Sequence, residues 1–195
     1  MKSTKLALAF TAASALTFMP ACSTTDPVTQ ANAATSSASQ IARDSRAALA
    51  SLYSQNPAAR ALGKKARGVL VFPAVVKGGF VVGAQAGIGA MIRDTGDIGG
   101  YYETTAASYG LQAGVQEFGY ALFLMDDEAF RSINRSGGWD IGSSPSLVVV
   151  DKGMAANMSV ATLDKGTYAF IFNQRGLMGG IGLQGSKITR IHPQQ

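Results

Sequence analysis

The chain has 195 residues, 17 of them basic and 12 acidic, with a single cysteine and a single histidine. That length makes one domain rather than two. One cysteine and one histidine exclude a disulfide framework and any clustered cysteine or histidine metal site, so no metal or other cofactor is expected. Charged residues at 15% and 23 glycines exclude a coiled coil and a disordered chain, and point to a compact, sheet-rich protein. Lys2 and Lys5 belong to a leader, which leaves 15 basic against 12 acidic residues and gives nucleic-acid binding little support.

Residues 1–21 read as a signal peptide. Two lysines precede an uncharged, mainly apolar stretch from Leu6 to Met19. It is shorter than the roughly 20 residues that a membrane-crossing helix needs. Met19-Pro20-Ala21-Cys22 then resembles the bacterial lipobox. In that motif a cysteine after small residues is acylated on sulfur and becomes the new N-terminus, and Cys22 is the candidate lipidation site. Ser23 follows it in place of aspartate, which by resemblance to enterobacterial lipoproteins implies sorting to the periplasmic face of the outer membrane. The second segment, 22–39, is the lipidated cysteine and a polar tether. Rich in Ala, Ser and Thr, the tether has too little apolar surface to order itself.

Folding material begins near residue 40, and the third segment, 40–195, is the domain. Ile41, Ala48, Leu49, Leu52 and Tyr53 share one face at helical spacing. Asn56-Pro57 reads as the N-cap and first position of a second helix that ends near Lys65. Val69 to Phe72 is an apolar strand run stopped by Pro73. From Phe80 to Ile92 apolar residues alternate strictly with a face that includes Gly83, Gln85, Gly87 and Gly89. The design recurs from Tyr109 to Gln116 and from Leu177 to Gln184. The phase slips by one near Glu117-Phe118, the mark of a bulge or turn. Asp126-Asp127 caps a short helix holding Phe130 and Ile133. Residues 146–150, 158–163 and 168–172 supply further strands, with Asn173-Gln174-Arg175-Gly176 as a hairpin turn. The expected architecture is α+β: N-terminal helices packed on a glycine-rich, mostly antiparallel sheet that curls toward a barrel.

Three ordered motifs resemble the SYLF domain family. The first runs from Ala66 to Pro73 and from Val75 to Phe80, the second from Ser108 to Gly114, and the third from Gly176 to Gly185. Residues 95–100 replace a longer tryptophan- and proline-containing stretch of that family. The resemblance implies membrane lipid binding without enzymatic activity. Eukaryotic members, some credited with actin binding, are known for phosphoinositides, and bacterial members are described as lipid-binding.

The residues offer their own candidate for that contact. Between Asp44 and Asp94 no acidic residue occurs, while Arg46, Arg60, Lys64, Lys65, Arg67, Lys77 and Arg93 do. Arg60, Lys64, Lys65, Arg67 and Lys77 are the candidate headgroup-binding residues, for a phosphoinositide-like or other acidic phospholipid. The bland alternative is a solvated helix end whose cations complement the macrodipole. The glycine faces admit close approach of a helix or an acyl chain, or simply barrel curvature. The helix over 41–53 either covers the sheet or lies in a bilayer interface.

Catalytic signals are weak. Gly180 to Gly185 has dinucleotide-site spacing, but too few residues follow it for a helix or βαβ unit. His192 stands near the end of the chain. Asp126, Asp127 and Glu128 read as a helix cap sooner than as metal or acid–base groups, and Trp139 as a core anchor. The expectation is therefore a non-enzymatic, anchored binder of anionic membranes. The alternative is a structural or protein-partner-binding envelope module whose lipid anchor alone meets the membrane.

Overall fold

The computed structural model describes residues 36–135, 137–141, 147–150, 163–176 and 185–194. The leader, Cys22, most of the third motif and nearly all of the strand expected over 158–163 lie outside these residues.

Helix α1 (Ala38–Gln55) starts where the Ser37 hydroxyl accepts a hydrogen bond from the Gln40 amide at 3.2 Å. Its buried stripe is Ile41, Ser45, Leu49 and Leu52, so the helical spacing holds and this face covers the sheet. Helix α2 (Pro57–Gly63) opens as expected. The Asn56 side chain accepts from the Ala59 amide at 3.0 Å, and proline occupies the first turn, where its missing N–H costs nothing.

Strands β1 (Gly68–Arg93) and β2 (Ile98–Leu124) form one very long antiparallel hairpin. Pro73 does not stop β1. Residues 73 and 74 together face Gly119 as a bulge, which accommodates a residue with no amide hydrogen to donate. The phase slip near Glu117-Phe118 is real, but the extra residues sit on the neighbouring strands. Besides Pro73 and Ala74 on β1, they are Asn173 and Gln174 on β5 (Thr167–Gly176). The hairpin turn expected at 173–176 is accordingly not formed. Asn173 takes φ 52°, the conformation that suits asparagine in a turn, and uses it to bulge a strand that continues to Gly176.

The long hairpin folds back on itself. Its corner lies at residues 79–83, opposite 109–113, where pairing skips from Phe80↔Ala113 to Val82↔Tyr109. The halves of β1 then meet face to edge. A Cβ on Gly87 would lie 2.8 Å from Ala74 O, and one on Gly89 would run into the Val71 carbonyl. Of the two readings of the glycine face, the curvature reading is the one realised at these positions.

Among the described residues the sheet has six strands, in the order β3-β6-β2-β5-β4, with β1 paired to β2 off that path. Here β3 is Trp139–Asp140, β4 Leu147–Val150 and β6 Lys187–Ile191; only β4 with β5 is parallel. Helix α3 (Asp127–Ser132) follows β2. The result is the expected α+β fold with a curled, half-barrel sheet. One core fills the inside of the folded hairpin, with Phe72, Tyr102, Phe118, Tyr120 and Ile188. A second lies between the sheet and α1–α2, with Leu49, Leu52, Leu62, Phe123 and Phe170. Trp139 is buried in the first, as expected of an anchor.

Candidate membrane-contact surface

Four of the five candidate cations gather at the end of the molecule where β1 begins. Arg60, Lys64, Lys65 and Arg67 are all exposed there, on α2 and the segment that leaves it. Arg60 turns back to α1: its Nε and Nη2 donate to the Tyr53 carbonyl at 2.9 and 2.6 Å, satisfying one of the open carbonyls in the last turn of that helix. Lys64 is the C-cap of α2 and makes no ion pair among the described residues. Lys65 pairs with Asp164 at 3.1 Å, and the Arg67 Nε with Asp127 at 3.4 Å.

Those carboxylates arrive from far along the chain, so the acid-free window in the sequence is not an acid-free surface. Both pairs are solvated, with side-chain exposures between 39% and 70%. Exposed pairs of this kind contribute at most about 1 kcal/mol, so a phosphate oxygen can exchange for either carboxylate at little cost. Lys65, Arg67, Met125 and Asp164 line an open pocket of about 320 Å³ at this end.

Lys77 stands apart. Ten residues further along β1, it is roughly 30 Å from Arg67 at ordinary strand rise. It is half-buried and pairs in register with Gln116, which is buried with its Oε1 unpartnered. The fold therefore brings four of the five cations together and leaves the fifth near the corner of the hairpin.

The acidic cluster does the work of a cap. Asp126 Oδ1 accepts from the Ala129 amide at 2.7 Å and Oδ2 from the Gly166 amide at 2.9 Å, joining α3 to the start of β5. Burial pushes its carboxyl up, but backbone hydrogen bonds from Ala129, Gly166 and Glu128, with Lys165 nearby, outweigh that and hold it below its usual value. His192 is exposed and lines a second open cleft of about 470 Å³ with Arg190, Tyr101 and Ala38. Among the described residues no three His, Cys, Asp or Glu groups come close enough to hold a metal ion, and no helix is long and apolar enough to cross a membrane.

Two features were missed in the sequence. Ser45 sits in the middle of the apolar stripe of α1 and is fully buried. Its Oγ accepts from the Ala90 amide at 3.1 Å and donates to the Val71 carbonyl at 3.3 Å, so it bridges the two halves of β1. The polar residues inside the half-barrel were also missed: Gln85 donates to Ser186 at 2.8 Å, and the Tyr120 hydroxyl to Thr104 at 2.7 Å. A small hydroxyl at i+4 in an apolar stripe is the only signal that pointed to Ser45.

No curated protein matches the chain. Residues 105–192 match the family model described as Ysc84, Las17-binding protein actin regulator. The match takes in the second and third motifs, β2 from Thr105 onward and all the described elements that follow it. The match is to the family, also called SYLF, that the three motifs resemble.

Proposed function

We propose that the protein is a non-enzymatic binder of acidic phospholipid surfaces, held at the bacterial outer membrane, on its periplasmic face, by lipids on Cys22. The observation that carries this reading is the exposed group of Arg60, Lys64, Lys65 and Arg67 at one end of the fold. The start of α1 lies at the same end of the long hairpin: the Ala38 amide donates to Gln194 O, and Ala38 lines a cleft with Ile98 and Gly99, where β2 begins. A tether leaving α1 therefore departs beside the start of β2, about 22 Å of helix from Tyr53, whose carbonyl Arg60 holds. Each cation near an anionic bilayer contributes about 1 kcal/mol, so the group gives binding that is useful and sensitive to salt. Tethering raises the local concentration of lipid and lets a weak contact persist.

Sedimentation of residues 36–195 with vesicles of neutral or acidic phospholipid, at two salt concentrations, tests the reading. That fragment keeps the Ser37 cap and every residue of both cores. Binding should require acidic lipid and fade with salt. Lys64→Glu with Lys65→Glu should weaken it roughly thirtyfold or more, since at least two favourable contacts are lost. Unchanged binding by that variant would place the contact elsewhere. A second reading, a module for a protein partner, is favoured by the family description, which names a bound protein. It predicts no binding of this fragment to any vesicle.

A further inference from the structure

The folded corner of the hairpin carries an apolar surface that the cation group does not explain. Of the seven large apolar side chains left exposed among the described residues, five lie there: Val76, Phe80, Val81, Val82 and Val115. Phe80 is 78% exposed, Val115 63% and Val82 61%. Across the strand pair Val115 faces Gly78, with Val76 and Phe80 as its diagonal neighbours, so these three share one outer face. Both strands are also free of charge here: residues 78–92 and 104–116 contain no Asp, Glu, Lys or Arg. Lys77 and Glu117 form the charged collar beneath.

Val81 adds an independent sign. Its φ is 65°, a region that a β-branched residue almost never occupies and that glycine enters freely. An apolar side chain is thus kept at a backbone position that disfavours it, as happens where local strain serves a function.

We propose that this corner enters the acyl layer of a lipid bilayer. Resting on the reading above that the protein works at a membrane, the inference adds a second, apolar contact some 35–40 Å along β1 from the cations, at ordinary strand rise. The geometry distinguishes a bilayer from a folded partner. Phe80, Val81 and Val82 are exposed in succession, because the positive φ breaks the alternation of faces, so the side chains radiate around the bend. A fluid medium covers such a knob on every side, whereas one flat protein face leaves part of it in water.

The test is depth-resolved quenching with the full lipidated chain carrying Phe80→Trp, in vesicles whose acyl chains are brominated near the carbonyl end. Phe80 is largely exposed, so the larger ring is tolerated, and Val82→Trp serves as a second reporter. The native Trp139 is buried and supplies the background measured in the parent chain. Insertion predicts a blue shift and a loss of the added indole's emission that grows with bromine content, from the vesicles holding the protein or from a second population. An added indole that stays unquenched in both populations, for both variants, overturns the proposal. So does a blue shift that depends on protein concentration and not on lipid, the result expected of a second copy. Adding Lys64→Glu with Lys65→Glu separates the two readings. Quenching of the added indole that survives these changes, in a protein whose binding is indifferent to acidic lipid, leaves insertion standing and removes the headgroup reading, and unquenched indoles on a salt-sensitive binder do the reverse.

Discussion

Replacing Ser45 by alanine tests the folded hairpin through one hydroxyl. The side chain is fully buried and serves two backbone groups on different halves of β1, the Ala90 amide at 3.1 Å and the Val71 carbonyl at 3.3 Å. Both residues are themselves fully buried, so water cannot take over either bond. A buried donor left without an acceptor costs about 1–3 kcal/mol, and the longer bond to Val71 adds less. The expected loss is therefore about 2–3 kcal/mol, which in a domain of this size lowers Tm by roughly 5–10 °C. Urea unfolding followed by far-UV circular dichroism reads it as a lower midpoint at unchanged slope. Ser54→Ala is the control: that hydroxyl bonds Ser51 O on an exposed face, and its loss should stay within about 0.5 kcal/mol. If Ser45→Ala were as benign as the control, the hydroxyl would not be what joins the two halves, and the account of how the hairpin is held closed would fail.

Gly89→Ala should destabilise by about 2–3 kcal/mol in the same assay, because the new Cβ meets the Val71 carbonyl and backbone cannot step aside as a side-chain tip can. Asp126→Ala should cost about 1–2 kcal/mol at pH 7 through the lost cap. The folded carboxyl titrates below its unfolded value, so its contribution is present above about pH 4. It disappears as pH falls through the folded value, and the gap between wild type and variant should close there. At the alkaline end burial pushes the Tyr53 hydroxyl up to about 12. The stability it confers is complete below pH 10 and drains away between about pH 10 and 12 as the unfolded chain ionises first; Tyr53→Phe should flatten that part of a pH–stability curve.

The helices were legible because their signals are local. Asn56-Pro57 and Asp126 both cap as the sequence implies, and the stripe from Ile41 to Leu52 falls on one helical face. Strand periodicity was equally plain, but its punctuation misled. Proline and Asn-Gln-Arg-Gly mark turns in most chains, whereas here both positions are bulges in strands held by long-range pairing. The fold-back at the corner was invisible because nothing local distinguishes glycines that turn a chain from glycines that let two strands touch. At the candidate site, the clustering of Arg60 to Arg67 follows from their nearness in sequence. Their partners Asp164 and Asp127 come from 99 and 60 positions away, and no window along the chain could have supplied them.

The bridge made by Ser45 also has a mechanical meaning. Whatever chain precedes Ser37 joins α1 directly, and α1 ties the two halves of β1 together through one shared hydroxyl set in its apolar stripe. The N-terminal segment, helix and hairpin are therefore coupled in series. Tension on the N-terminal segment would load the Ala38–Gln194 hydrogen bond first and then reach the sheet, through Ser45, as a pull on Val71 and Ala90.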